Sequence, residues 1–153
     1  MDEPRRPTTG PSRLRIALGH ALRGPVRAGL IPHAVVLTVT GRKRGEPRST
    51  PITPIEVGGR HWLVSPYGTV EWVKNLRADP EATLARRRTV RRFIAREASA
   101  AEAGPVLKRY VAIVPIARPY FSAGPQDPAG AFAAEADRHP VFEVIDPGAL
   151  DAD

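Results

Sequence analysis

The chain has 153 residues, 42% of them hydrophobic and 25% charged. This length and composition are typical of one globular domain with its own core. The net charge of +7 suits an anionic partner, which nucleic acid, an anionic lipid surface or a small anionic ligand could each supply. The sequence contains no cysteine, which excludes disulfides, thiolate catalysis and thiolate-bound metal.

Targeting and metal signals are absent from the sequence. The first residues lack the apolar run of a signal peptide, and no segment reaches the ~18 apolar residues that a spanning helix needs. We therefore expect a soluble, cytoplasmic protein. The four histidines, His20, His33, His61 and His139, are scattered without the spacing of a ligand set, so no metal site is predicted.

The first half of the chain predicts one amphipathic helix followed by a run of short strands. Residues 1–11 form a Pro-rich and Arg-rich tail, and residues 12–23 repeat apolar positions at helical spacing beside arginines. This basic helix either packs on its own domain or lies peripherally on a membrane surface. Strands are predicted at residues 35–40, 50–57 and 60–65, with a tight turn at Gly58-Gly59. A short helix should follow from Thr69, as its N-cap, to Ala78.

The second half predicts a basic hairpin, a capped helix and a closing strand. Residues 82–98 form the hairpin, which turns near residues 87–89 and carries six arginines that suit either nucleic-acid phosphate or a solvated outer face. Ser99 and Glu102 form a capping box for a helix from Ala100, with the Gly104-Pro105 pair in its first turn. A loop at 115–128, a short helix near 129–136 and a strand at 139–145 complete a single domain of residues 12–146. An acidic tail, residues 147–153, follows it.

These elements predict a mainly β (α+β) protein: a six-stranded antiparallel barrel with inserted and flanking helices. The loop between the first two strands carries Arg42, Lys43, Arg44 and Arg48 between glycines. Such a loop either binds a polyanion, because Arg and Lys grip phosphate and carboxylate, or is a solvated turn. No catalytic nucleophile motif or glycine-rich nucleotide motif occurs in the sequence, which leaves cofactor chemistry open.

Three phrases in order, TVTGRKRGEPRSTPI, SPYG and EWVKNLRADPEATL, resemble the deazaflavin (F420)-dependent nitroreductase family. The resemblance covers roughly residues 35–145. It implies a split β-barrel similar to the FMN-binding split barrels, a homodimer, and F420 bound in a groove between the barrel and its helices. The implied activity is hydride transfer from reduced F420 to a small electron-poor acceptor: a quinone, an activated alkene or a nitroaromatic.

The resemblance also implies site residues. Arg42, Lys43 and Arg48, with Arg44 nearby, would face the phosphate and glutamate tail of the cofactor. Ser49, Thr50, Pro51 and Ile52 would run beside the deazaflavin ring. Ser65 and Gly68, with Pro66 and Tyr67 between them, would lie at the ring or the phosphate. The helix that packs over the ring would contribute Trp72, Asn75 and Leu76. Trp72 and Leu76 also have the spacing of simple core residues, and Asn75 could bond either the cofactor or a neighbouring backbone. Tyr67 and Tyr120 are the candidate catalytic residues, as proton donors or as pocket lining.

The sequence departs from the family pattern at two places. Pro66-Tyr67-Gly68 replaces a Lys-Gly-Gly type of turn, and Arg44 replaces a small hydroxyl residue. These departures leave FMN as an alternative cofactor. Two other functions stay open: an F420 or flavin carrier without turnover, and a basic nucleic-acid-binding barrel. We expect no nucleic-acid partner, because Phe93 is the one aromatic residue among the hairpin arginines.

Overall fold

The computed structural model describes residues 34–146, so the predicted helix at 12–23 and both tails lie outside the described residues. Within this range the strands are β1 (Val35–Thr40), β2 (Pro47–Ile52), β3 (Ile55–Val57), β4 (Arg60–Val64), β5 (Glu81–Arg86), β6 (Thr89–Glu97) and β7 (Val141–Ile145). The α-helices are α1 (Glu71–Ala78), α2 (Ala100–Ile113) and α3 (Ala129–Ala133), and 3₁₀ helices cover Pro115–Tyr120 and Ala136–Arg138. No helix in the described range is long and apolar enough to cross a membrane.

The described strands form one antiparallel sheet in the order β2-β1-β5-β6-β7-β4-β3. β2 and β3 are consecutive in the chain but lie at opposite edges of this order. Those edges would be roughly 29 Å apart in a flat sheet at ~4.8 Å per strand. The link from Ile52 to Ile55 spans at most about 11 Å, so the sheet must curl until its edges approach. The predicted split-barrel fold is confirmed.

The strand count is seven in the described range, not six. The predicted single strand at residues 50–57 is in fact two strands, β2 and β3, separated by Thr53 and Pro54. Pro54 lacks an N–H and restricts the residue before it, so the ladder is interrupted there. The prolines of this stretch accordingly lie at sheet edges, as their missing donors predict.

Two apolar clusters hold the described domain together. The barrel interior contains Leu37, Leu63, Leu76, Phe93 and Phe142, all at most 2% exposed. The second cluster lies on the other face of β4 and β7, where α2 and α3 pack. Its members include Trp62, Val64, Val106, Leu107, Phe132 and Val141. The last three residues of β4 are buried on both faces, because alternate side chains of a strand point to opposite sides of the sheet.

The helix boundaries follow the predictions in part. α2 begins after Ser99 with the predicted capping box, since the Ser99 side chain accepts from the Glu102 N–H and the Glu102 carboxylate accepts from the Ser99 N–H. Pro105 lies in the second turn of α2, not the first, where it removes one helical bond. α1 begins at Glu71 after Val70, not after Thr69, because the Val70 carbonyl accepts the first helical N–H groups.

The second half differs from the predictions mainly at element ends. β5 and β6 turn at Arg87, which has a φ of 54°, and the side chains of Arg91 and Arg92 are both exposed although they alternate across the strand. Exposed arginines fit both a solvated face and a phosphate-binding face, so the solvated-face interpretation stays a prediction. A 3₁₀ helix covers the first part of the predicted loop at 115–128. The last strand begins at Val141 and not at His139, because the His139 side chain and the Pro140 carbonyl are turned toward residues 65–66.

Candidate functional site

The basic loop between β1 and β2 is closed by its own backbone. The Gly41 N–H donates to the Glu46 carbonyl at 2.8 Å, and the Gly45 N–H donates to the Gly41 carbonyl at 2.9 Å. Gly45 has a φ of 69°, which suits glycine. A side chain at position 41 would place its Cβ 2.9 Å from the Glu46 oxygen. The glycines therefore permit a compact loop that holds the cations at one end of the hairpin.

Arg42 is bound to α1. Its backbone N–H donates to Asn75 Oδ1 at 3.1 Å, and its guanidinium Nη1 donates to Asn75 Oδ1 at 2.9 Å and to Glu71 Oε2 at 2.8 Å. The hydrogen bond from Arg42 lowers the pKa of Glu71. Asn75 is only 4% exposed. Of the two roles predicted for Asn75, the structure supports the bond to a neighbouring backbone, and Arg42 serves to attach the loop to the helix.

The other cations of the loop face solvent. Lys43 and Arg44 are exposed and form no ion pair with any residue in the described range, and Arg48 is 3.7 Å from Glu46 with its side chain 63% exposed. Three available cations on a compact, glycine-containing loop can bind several anionic groups at once. The donor set therefore fits a phosphate and an oligoglutamate tail, the anionic parts of F420.

β2 is an edge strand, and its side chains alternate between two surroundings. Thr50 and Ile52 pair with the interior-facing positions of β1, so they face the barrel side. Ser49 and Pro51 face the opposite way, and Ser49 Oγ lies 2.8 Å from Thr38 Oγ1. All four are partly buried. The predicted ring-side stretch thus presents Thr50 and Ile52 to one side and Ser49 and Pro51 to the other.

Residues 65–68 form a turn that is closed internally. Ser65 is fully buried, its N–H donates to the Pro140 carbonyl at 2.9 Å, and its hydroxyl donates to the Gly68 carbonyl. Gly68 has a φ of 92°, a conformation that other residues rarely adopt. The Ser65 hydroxyl therefore stabilises the turn that presents Tyr67, and Pro66 is buried beneath it.

The three tyrosines of the chain come together beside this turn. The rings of Tyr67 and Tyr120 meet edge to face with centroids 4.6 Å apart. Tyr110 on α2 is 7% exposed, and burial, with a smaller contribution from Tyr67, raises its pKa above the usual range. The sequence predictions omitted Tyr110, because its position in a helix gave no sign of the aromatic pair beside it.

Helix α1 connects the basic loop with the tyrosine cluster. Its second and sixth residues, Trp72 and Leu76, pack against the barrel interior, where the ring centroids of Trp72 and Phe142 are 5.9 Å apart. Both therefore have the core role that their spacing predicted. The helix starts just after the 65–68 turn, since the Val70 N–H donates to the Gly68 carbonyl at 2.9 Å. α1 therefore contacts the basic loop through Arg42 and directly follows the turn that carries Tyr67.

Residues 13–122 match the family model described as F420H(2)-dependent quinone reductase. The chain belongs to the F420H2-dependent quinone reductase family. This family consists of oxidoreductases that use reduced F420, so the predictions of an F420-dependent family, an oxidoreductase and F420 as the cofactor are confirmed. The comparison does not specifically support the nitroreductase name.

Solved structures share the fold of this quinone reductase family member. An F420-H2 dependent reductase, FDR-A, is 24% identical with a TM-score of 0.53, over 74% of this chain and 94% of that chain. A structure described as a domain-swapped dimer is 21% identical with a TM-score of 0.54, over 86% and 93%. Atu2129 from Agrobacterium tumefaciens str. C58, of unknown function, is 18% identical with a TM-score of 0.52, over 94% and 58%. At these identities the likeness concerns the fold alone.

Proposed function

We propose that this protein reduces a small quinone at the expense of reduced F420. The main support is the family match over residues 13–122, together with a cationic loop whose exposed donors suit the anionic tail of the cofactor. When bound, reduced F420 supplies a hydride. The protein contributes binding, orientation and exclusion of water. Activated alkenes and nitroaromatics are the other acceptors that such a hydride donor could reduce.

The loop cations would hold the cofactor's anionic groups. Lys43, Arg44 and Arg48 face solvent and are available for charge-assisted hydrogen bonds. Arg42 contributes indirectly, because its bonds to Asn75 and Glu71 keep the loop against α1. A ligand held by a preorganised loop loses less entropy on binding than one that must order the loop.

The ring of the cofactor would lie near β2 and the 65–68 turn. Thr50 and Ile52 offer partly buried side chains along an edge strand whose outer side carries no other described strand. Tyr67 and Tyr120 would lie where the acceptor binds. Each could line the pocket with its ring or give its hydroxyl proton to the reduced acceptor.

We also propose a homodimer in solution. The support is the structurally similar protein described as a domain-swapped dimer. Light scattering at several protein concentrations tests this state directly. A monomer at all concentrations would contradict it without affecting the cofactor assignment.

Cofactor binding is tested by fluorescence titration with F420 and, separately, with FMN. The double variant Lys43→Ala/Arg48→Ala should bind F420 at least ~10-fold more weakly, because each lost bond to a charged group is worth about 1.5–3 kcal/mol. The matched control is Lys108→Ala/Arg109→Ala, which removes the same charge from α2. Equal weakening in both double variants would show that net charge, and not the loop, attracts the cofactor.

Turnover is tested by anaerobic oxidation of reduced F420 with a soluble quinone, with a nitroaromatic as the comparison acceptor. We expect faster oxidation with the quinone. Tight binding of F420 with no acceptor-dependent oxidation would instead indicate a carrier. Tyr67→Phe and Tyr120→Phe separate the two tyrosine roles. Removing the hydroxyl of a proton donor should slow the oxidation of reduced F420, whereas removing the hydroxyl of a ring that only lines the pocket should not.

A further inference from the structure

A buried carboxylate–imidazole pair lies next to the tyrosine cluster. His139 and Glu135 are 4% and 3% exposed, and His139 Nε2 is 2.9 Å from Glu135 Oε1. His139 Nδ1 is 2.9 Å from the Pro66 carbonyl oxygen. Both residues follow residue 122, where the family match ends. The family comparison therefore assigns them no role, and the sequence predictions treated His139 as an isolated histidine.

The hydrogen bonds at Glu135 keep its carboxylate ionised. Burial by itself would raise the pKa of Glu135, but the N–H groups of Ser122 and Ala123, each at 3.0 Å, and His139 together lower it. A carbonyl oxygen can only accept, and so can an ionised carboxylate. Both ring nitrogens of His139 therefore face acceptors, and both contacts are hydrogen bonds when each nitrogen carries a proton. The geometry is that of a buried carboxylate–imidazole pair whose contacts point in fixed directions.

This carboxylate–imidazole pair contacts the neighbours of both catalytic candidates. On one side it holds the carbonyl of Pro66, the residue before Tyr67. On the other side the ring of Phe121, the residue after Tyr120, stacks on His139 with centroids 3.9 Å apart and an interplanar angle of 23°. One imidazole thus joins the two segments whose tyrosine rings meet at 4.6 Å.

We propose that the Glu135–His139 pair positions Tyr67 against Tyr120 and thereby sets the geometry of the acceptor pocket. A buried polar pair of this kind adds little stability compared with well-packed apolar side chains. Its fixed hydrogen bonds do, however, hold a backbone carbonyl in one orientation. The inference rests on the proposed function for its catalytic consequence, but the positioning of the 65–68 turn can be measured without any cofactor.

Two substitutions of His139 separate its two contacts. An asparagine amide nitrogen lies near the place of Nδ1, so His139→Asn can keep the bond to Pro66. A glutamine amide nitrogen lies near the place of Nε2, so His139→Gln can keep the bond to Glu135 and loses the bond to Pro66. The exposed His61, 3.8 Å from Glu56, supplies the control variant His61→Gln.

The catalytic readout is the single-turnover oxidation of bound reduced F420 by a soluble quinone. We expect His139→Gln to slow this step by ~10- to 100-fold, the loss typical of a misplaced reacting geometry. We expect His139→Asn to slow it less than ~3-fold and His61→Gln to leave it unchanged. In a Tyr67→Ala background, His139→Gln should slow the oxidation by less than a further ~2-fold, because the residue through which His139 acts is gone. Equal losses in the Asn and Gln variants, or full additivity with Tyr67→Ala, would overturn the proposal.

The structural readout is hydrogen exchange of the peptide that contains residues 65–70, measured without cofactor. Exchange should be faster in His139→Gln than in His139→Asn or the wild type. Unchanged protection in His139→Gln would refute the positioning role. If exchange is faster in His139→Gln but the wild type oxidises no reduced F420, the proposed function fails and the positioning role stands. Should the histidine variants fail to fold, Glu135→Gln keeps the shape of the pair, and unchanged exchange and rate in that variant would likewise refute the role.

Discussion

Replacing Asn75 with alanine tests whether this residue attaches the basic loop to α1. Its Oδ1 accepts from the backbone N–H of Arg42 at 3.1 Å and from the Arg42 guanidinium at 2.9 Å. The loss leaves the Arg42 N–H without its partner in a site where Asn75 is 4% exposed. A partly buried hydrogen bond contributes about 1 kcal/mol net, and stranding a donor costs about 1–3 kcal/mol. The Arg42 bond to Glu71 remains, so we expect a total loss near 2 kcal/mol.

Urea denaturation measures this free energy of unfolding, and thermal unfolding should show a fall in Tm of about 4–8 °C for a chain of this length. Asn75→Asp retains the acceptor oxygen beside Arg42 and should recover more than half of the loss. Lys74→Ala, on the exposed face of the same helix, should stay within about 0.5 kcal/mol of the wild type. If Asn75→Ala is no less stable than Lys74→Ala, Asn75 does not attach the loop to α1. F420 affinity should fall with Asn75→Ala, because the loop that holds the cations is then free to move.

Three further predictions concern α2. Ser99→Ala should cost about 1 kcal/mol by removing the capping bond to Glu102, and an unchanged urea midpoint would contradict this. The hydrogen bond from Arg96, followed by the Ser99 N–H, lowers the pKa of Glu102 from 4.5 to about 2. The stabilisation that the Glu102 carboxylate contributes is therefore complete above pH 4.5 and lost as the pH falls toward 2. In Glu102→Gln the free energy of unfolding should depend less on pH across that window. Gly104→Ala should destabilise the protein despite better helix propensity, because its Cβ would lie 2.7 Å from the Ala129 carbonyl oxygen; a higher Tm would show that α3 can shift.

Local features of the fold were predictable because the interactions that form them lie within a few residues. Ser99 and Glu102 are three positions apart, so the capping box was visible in the sequence. The tight turn at Gly58-Gly59 follows from the two positive φ values that glycine allows, 63° and 75°. Pro54 lay within the predicted strand at 50–57, and its effect on the ladder divides that strand in two.

The sequence predicted the kinds of residues in the candidate site. The four cations of residues 42–48 and the later tyrosines were recognisable from sequence, and the order of three motifs pointed to the family. The assignment of individual roles was less complete. Arg42 resembles its neighbours in the sequence, but it is the one that bonds to Asn75, 33 residues away.

The sequence by itself determined that this is a small, basic barrel protein with a cation-bearing loop and an F420-family signature, because composition, alternation and turn residues act locally. Only the tertiary structure decided which polar groups form hydrogen bonds with distant parts of the same chain. His139 meets Pro66 across 73 residues of chain, and the Ser65 N–H meets the Pro140 carbonyl. Such partners are set by the pairing of β4 with β7 in the closed sheet, which places the segment after β4 beside the segment before β7. No local pattern encodes that closure, because it depends on the pairing of all the strands at once.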